Sequence, residues 1–335
     1  MSSIRRLRRI NFNKFPSLKE FRLHEMRDLE EWRTMTGGEN FPCLSTLDIT
    51  DCPKLVEIPI IPSLTDLTMR RNNAMLIRSV MNLTSLSSLV IDDMDELTVL
   101  LDGLLQNHKM LEMLKISKMP NLKSLTNQLD NLSALNKFRL ECCDKIESLP
   151  EGLQNLHSLR ELRIWECNNL LSLPMNGLQG LSSLRRLSIW SCNKFCSLSE
   201  GIQYLIALEN LNINTCPKLI SLPEGIQHLT ALRYLDIRNC EDLSSLPKQI
   251  GCLTSLSYLG IWYCPKLMSI PDELQNLTAL KTLLIGGCPH LEKRCKKDSG
   301  EDWHKISHIT DIYITSYPET SSSTGWGSLR KLKCC

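Results

Sequence analysis

One pattern recurs through most of this chain: leucine, two residues, leucine, one residue, isoleucine, two residues, cysteine. It begins at Leu159, Leu184, Leu208, Leu232, Leu256 and Leu280, at spacings of 25, 24, 24, 24 and 24 residues. Towards the N-terminus it begins at Leu135, Leu111, Leu86, Leu64, Leu44 and Leu18, at looser spacings of 20 to 26. A degenerate copy (Leu7, Ile10, Phe12) precedes these twelve and a closing one (Ile309, Ile312, Ile314) follows. Twelve in-phase copies constrain the architecture more than any single motif can.

The periods within one copy say what it folds into. Counting the first leucine as position 1, positions 4 and 6 (Leu162 and Ile164 in one copy) alternate, so both point to one face of a short strand. Behind the strand, Leu149, Leu153, Leu156 and Leu159 are spaced three and four apart, which suits a short helical or 3₁₀ return. Pro150, Pro174, Pro223, Pro247 and Pro271 recur at one phase and set an extended approach to that return. One copy cannot bury its own leucines, whereas stacked copies bury them on both sides. The expected fold is therefore an α/β solenoid, a leucine-rich-repeat horseshoe with parallel strands on the concave face and short helical, 3₁₀ or irregular convex returns. At ~4.8 Å per strand its inner arc runs roughly 55 Å. The expected organisation is a partial N-terminal repeat at 1–17, the solenoid at 18–290, a C-terminal cap with a closing strand at 291–317 and a flexible tail at 318–335.

The cysteines follow the same phase. Cys52, Cys143, Cys167, Cys192, Cys216, Cys240, Cys264 and Cys288 all occupy position 9, where Asn72, Met94 and Met119 stand in other copies. Stacked copies point these side chains in parallel, one strand spacing apart, so a buried thiol ladder is expected rather than disulfides. No pair of C-x-x-C motifs suggests zinc, and His304 and His308, four apart, read as part of a cap rather than a metal site. No metal is expected.

Bulk properties exclude more than they assign. A net charge of +2 among 335 residues predicts neither nucleic-acid nor membrane binding. No apolar run approaches the ~18 residues of a membrane span. The opening "MSSIRRLRRINF" lacks the apolar core of a secretory signal, so a reducing, cytoplasmic or nuclear location is expected. "IRRLRR", Ile4 to Arg9, reads as a solvated flank. The sequons at Asn82, Asn131 and Asn276 fall within the repeat consensus, and the final Cys334 and Cys335 match a lipidation motif poorly.

The concave face supplies the candidate site. Trp165 follows Ile164 by one residue and so points away from the core. Trp190 and Trp262 share its position 7, with Arg238 between them; Lys115, Arg139 and Arg163 share position 5. Arg186, Tyr234 and Tyr258 share position 3. Exposed Trp, Tyr and Arg are enriched at binding hot spots, so these ten residues are the expected partner-binding patch. The alternative is that Trp165 and Trp190 stack on each other and on Arg stems. The N-terminal copies carry Asp48, Asp51, Asp66, Asp92 and Asp93, a set of opposite sign expected to hold an internal partner.

Three further features carry a family resemblance. Copies end in "SLPEGLQNLHSL" and "SLPEGIQHLTAL", and an irregular early copy reads "LEEWRTMTGGENFPCLSTLDITDCPKL". After the last copy comes "CPHLEKRCKKDSGEDWHKISHITDIYI", Cys288 to Ile314. Together they resemble the C-terminal leucine-rich-repeat region of plant intracellular immune receptors, the coiled-coil-class nucleotide-binding leucine-rich-repeat (NLR) disease resistance proteins. The resemblance spans residues 7 to 317 or so; His304 stands where that family usually carries proline. It implies a non-enzymatic module that senses a pathogen effector, or a host protein the effector alters, and restrains a nucleotide-binding switch. That switch binds ADP or ATP in an upstream module; this chain has no G-x-x-x-x-G-K-[ST] loop, so no cofactor is expected in it. The uncapped start leads to the expectation that a neighbouring module covers that end, the other reading being a gene fragment. The runner-up function is the substrate-binding part of a ubiquitin ligase or a general protein-interaction scaffold; an extracellular receptor ectodomain and an RNA-binding solenoid fit less well.

Overall fold

The computed structural model describes residues 8–12, 15–34, 41–100, 103–127, 129 and 131–315. Wherever the repeat places its alternating positions 3 to 7, a five-residue strand forms, in most copies with positions 4 and 6 buried and the positions between them at least partly exposed. Examples are β9 (Glu161–Trp165), β10 (Arg186–Trp190) and β11 (Asn210–Asn214). Thirteen such strands form one parallel sheet in sequence order. It runs from β2 (Glu20–His24) through β4 (Thr46–Thr50), β5 (Asp66–Arg70), β6 (Ser88–Asp92), β7 (Met113–Ser117) and β8 (Lys137–Glu141). It continues through β9, β10, β11, β12 (Tyr234–Arg238), β13 (Tyr258–Trp262) and β14 (Thr282–Gly286) to β15 (Asp311–Thr315). Twelve copies and the closing one thus each contribute a strand.

The degenerate first copy behaves differently. Its strand β1 (Arg9–Phe12) stays outside the large sheet and pairs with β3 (Glu31–Thr34), which lies in the return of the first full copy. Trp32 anchors that return: its ring packs edge-on against Phe21 and Phe41, with centroids 5.5 and 5.8 Å away. An aromatic cluster holds the segment down where the later copies use leucines.

The returns of the regular copies are single 3₁₀ turns, among them Glu151–Asn155, Glu224–His228, Lys248–Cys252 and Asp272–Asn276. The proline before each has φ between −66° and −71°, which presets the extended approach. Leucine or isoleucine from every copy fills one continuous core, most at 0% exposure. At about 1.5–3 kcal/mol per fully buried aliphatic side chain, this stacking is the main source of stability.

Position 8 turns the chain out of each strand through the left-handed region. From Glu25 to Tyr263, eleven residues there have φ of 50–57°, and Gly287 has 66°. The conformation is costly for most side chains. It is held because each N–H continues the ladder: that of Glu166 reaches the Trp190 carbonyl at 2.9 Å and that of Tyr263 the Gly286 carbonyl at 2.8 Å. Beneath this turn run the position-9 thiols, all at 0% exposure. Their S–H groups reach the carbonyl two residues back at 3.3–3.7 Å. Asn72 fills the same place by donating to the Ile49 carbonyl at 2.7 Å and accepting from the Cys52 amide at 3.0 Å. Burial pushes the Cys52 thiol up to about 11 and those of Cys192 and Cys216 to about 12.

The C-terminal end is closed by α1 (Pro289–Arg294), α2 (Trp303–Ile306) and β15. Leu291, Cys295 and Ile306 bury completely, and Trp303 packs half-buried against the same core. A buried carboxylate pins the cap: Asp302, 1% exposed, accepts from Arg294 Nε at 2.9 Å and Nη2 at 3.0 Å. It also pairs with Lys305 at 2.9 Å and accepts from the Ile270 amide at 3.3 Å.

Candidate functional site

Parallel in-register pairing makes each strand position a continuous row across the concave face. Trp165, Trp190, Asn214, Arg238, Trp262 and Gly286 lie side by side in one row. Glu161, Arg186, Asn210, Tyr234 and Tyr258 form a second. Lys115, Arg139 and Arg163 adjoin in the third. The structure therefore brings the ten candidate residues onto one surface, in two chemically distinct stretches.

In the central stretch the positive charges are paired within the chain. Lys115 Nζ lies 2.6 Å from Glu141, which is 5% exposed. Glu161 sits between Arg139 at 3.1 Å and Arg186 at 3.2 Å. Burial is the largest influence on Glu161 and pushes its carboxyl up, but the two guanidinium groups outweigh it and hold the group below the ordinary range. Arg163 lies over the Trp190 ring, 5.7 Å from its centroid, and Trp190 Nε1 donates to Asn212 Oδ1 at 2.9 Å. Trp165 is half-buried beside it. This stretch is a largely paired network rather than a free basic surface, although Arg139 Nε and Arg163 Nε are buried with no hydrogen-bond partner among the described residues.

The C-terminal stretch, β11 to β14, is built of amides, rings and glycines. Its outward positions carry Asn210, Asn212 and Asn214, then Tyr234, Tyr258, Trp262, Thr282 and Leu284, and one ion pair. That pair is Arg238 donating to Asp236 Oδ2 at 2.6 Å. Asp236 is 2% exposed, and burial pushes its carboxyl above the ordinary value against the pull of Arg238. The Tyr234 and Tyr258 rings stack with centroids 4.3 Å apart and planes 8° from parallel. Arg238 lies over the Trp262 ring at 5.8 Å. Each bulky group leans over a glycine of the next copy. A Cβ on Gly286 would sit 2.5 Å from the Trp262 ring, and one on Gly260 would collide with Asp236. The rings consequently lie along the sheet as a low platform, and Trp262 Nε1 has no hydrogen-bond partner among the described residues.

The acidic N-terminal set is also largely paired. Asp51 accepts from Arg71 Nε and Nη2 at 2.6 and 2.7 Å, and Asp93 lies 3.6 Å from the same guanidinium. Asp92, 4% exposed, pairs with Arg70 at 2.6 Å and accepts from Ser117 at 2.6 Å. Asp48 accepts from Thr50 and lies 3.5 Å from His24, while Asp66 accepts from Thr65 at 2.7 Å. Asp51 and Asp93 stand at the position-8 turn beyond the strands, so only Asp48, Asp66 and Asp92 lie on the sheet.

Several partners were not singled out from the sequence, namely Glu141, Glu161, Asp236, Asn212 and the two glycines. Asp236 serves Arg238 two residues along its own strand, whereas Glu161, Asn212, Glu141 and the glycines lie 22 to 26 residues from the groups they serve, visible only once copies are superposed in register. His304 and His308 are exposed, and no cluster of metal-ligating side chains occurs among the described residues. No helix there is long and apolar enough to cross a membrane. Ile4 to Leu7 of the basic flank, the expected tail at 318–335, Cys334 and Cys335 lie outside the described residues.

Comparison with known proteins agrees with this geometry. The chain is 34% identical over 116 residues to the putative disease resistance protein RGA1 of Solanum bulbocastanum, an alignment covering 35% of this chain and 12% of that protein. Among solved structures, the leucine-rich-repeat domain of the type III effector XopL matches with a TM-score of 0.57 and 25% identity, covering 67% of this chain and 74% of that one. The ectodomain of the plant membrane receptor kinase GASSHO1/SCHENGEN3 from Arabidopsis thaliana gives a TM-score of 0.49 at 15% identity, over 92% of this chain and 42% of that one. The family described as leucine-rich repeat region matches residues 146–335, more than half of the sequence. With its repeats in register along one parallel sheet, the chain belongs to the leucine-rich repeat region family.

Proposed function

We propose that this chain is the protein-recognition and regulatory module of a plant intracellular immune receptor of the NLR type, acting in the cytoplasm or nucleus. Its role is binding rather than catalysis. It senses a pathogen effector or a host protein that an effector has altered, and it restrains a nucleotide-binding module until then. The likeness to a disease resistance protein supports the setting, and the concave face supports the mode. The observation that carries the reading is the β11–β14 platform, where the Tyr234 and Tyr258 rings stack and the charged pair Arg238–Asp236 is joined within the chain. Contact cores of protein interfaces have this composition, aromatic and depleted in free charge.

The mechanism is a shift of population. A partner must bind the active arrangement better than the resting one by a few kcal/mol, ~5.5 kcal/mol for a full reversal from 1:99 to 99:1. The platform takes the foreign partner, and the acidic N-terminal copies, Asp48 and Asp66 foremost, contact the nucleotide-binding module. Co-precipitation with the nucleotide-binding module of a plant resistance protein tests this. Asp48→Asn with Asp66→Asn is expected to weaken that association, and Tyr258→Ala with Trp262→Ala to leave it intact while abolishing the defence response. An association that fails even with the unsubstituted chain would reject the restraining role.

A further inference from the structure

His108 is the one titratable residue in an otherwise apolar column. Three residues before the start of each copy stands Phe, Ile or Leu in every case but this, Leu83 and Leu132 being its neighbours in the adjacent copies. The site is interior: His108 is 0% exposed, Leu83 1% and Leu132 0%. The ring spans two copies. Its Nε2 lies 3.0 Å from the Val80 carbonyl, in the 3₁₀ return Ala74–Asn82 of the preceding copy, while Nδ1 is buried with no hydrogen-bond partner among the described residues. A neutral ring donating from Nε2 satisfies this environment.

The surroundings compensate an imidazolium only in part. Among the described residues, the backbone carbonyls of Val80, Leu105 and Leu83 favour the charged ring, but burial, the largest influence, outweighs them and holds it towards the neutral form. The nearest flanking charges on the two returns, Arg78 and Lys109, are exposed and of the wrong sign.

We propose that His108 makes this return an acid-opened joint: on protonation the ring leaves the interior, and the convex returns of the copies beginning at Leu64 and Leu86 part locally while the concave strands stay paired. The open form binds one more proton than the closed. Stability of the joint is therefore full at neutral pH and is lost as pH falls below the free-histidine value near 6.5. With that value, opening becomes about tenfold more frequent between pH 7.5 and 5.5. The consequence is a solenoid whose bend between the copies beginning at Leu64 and Leu86 responds to cellular acidification without loss of the platform.

Hydrogen–deuterium exchange by mass spectrometry on the full chain tests it, with rates corrected for intrinsic pH dependence. Protection in peptides covering 74–83 and 104–111 is expected to fall about tenfold from pH 7.5 to 5.5, with none lost across 234–262. His108→Leu, which restores the column, is expected to abolish the pH response, and so is His108→Gln, which keeps a polar, untitratable group. A pH-independent wild type, or the same loss in a variant that is folded at pH 7.5, would overturn the proposal. Should the Leu variant misfold, the Gln variant decides.

Discussion

Replacing Asp302 by Asn is expected to release the C-terminal cap. The carboxylate is 1% exposed and gathers two bonds from Arg294, one from Lys305 and one from the Ile270 amide. Asn keeps the size but loses the charge and replaces one acceptor by a donor aimed at cations. Removing one member of a buried, hydrogen-bonded ion cluster costs about 3–5 kcal/mol. The low end applies here, because Lys305 keeps the Ile270 carbonyl and Asp272, and Arg294 keeps Glu301. Urea unfolding followed by circular dichroism at pH 7 should therefore show a loss of about 3 kcal/mol. Copies couple only to their neighbours, so β13 and β14 should lose exchange protection before β7 or β8. The sign with pH is fixed too. Burial, the largest influence, raises the Asp302 carboxyl, but Arg294, Lys305 and the Ile270 amide together hold it below the ordinary aspartate value of 3.8. A depressed acid stabilises above its unfolded value and loses that contribution as pH falls through the folded one, so wild type and variant should converge in strong acid. A loss below about 1 kcal/mol at pH 7, or a difference that persists at pH 2, would refute the reasoning.

Other expectations are quicker to check. Titrating native thiols with a disulfide reagent should modify the exposed Cys43, Cys196 and Cys252 first, and the position-9 thiols only on unfolding, because burial shields them from the reagent. Ser191→Gly relieves a φ of 54° at a surface turn and should raise stability by up to about 1 kcal/mol in thermal melts; a comparable loss would show the turn unstrained. Gly286→Val should displace the Trp262 ring, visible as a shift in tryptophan emission, while leaving far-ultraviolet dichroism unchanged. An unmoved spectrum would mean that the ring does not rest there.

The strands, their order and the thiol ladder were legible because each rests on a period, and a period survives without knowledge of partners. Leu162 and Ile164 bury wherever their copy is placed, so the alternation alone puts Trp165 on the opposite face. The charge state of that face was not legible in the same way. Arg139 and Arg186 look free along the chain, and only the in-register stacking of copies puts Glu161 between them. His108 could have been found by aligning the returns as carefully as the strands. β1 followed a weak copy of the pattern, and nothing in its own residues signals that Trp32 would draw a return into strand geometry beside it. The resemblance through "GEDWHKISHI" located the cap but not its chemistry, since the motif does not say that Asp302 faces inward while His304 faces out.

The large-over-glycine packing along the last strands has a consequence for how such a surface can change. Asp236 rests on Gly260, Trp262 on Gly286 and Tyr263 on Gly287, always reaching towards the following copy. The recognition chemistry of one copy is thus written in two. A 24-residue period suggests that single copies could be exchanged or duplicated freely, yet a transplanted Trp262 copy would meet a side chain wherever its new successor lacked the glycine. The smallest unit that recombination can move intact is a consecutive pair, and innovation along this arc should proceed by doublets, from the donor copy to its C-terminal neighbour and not the reverse.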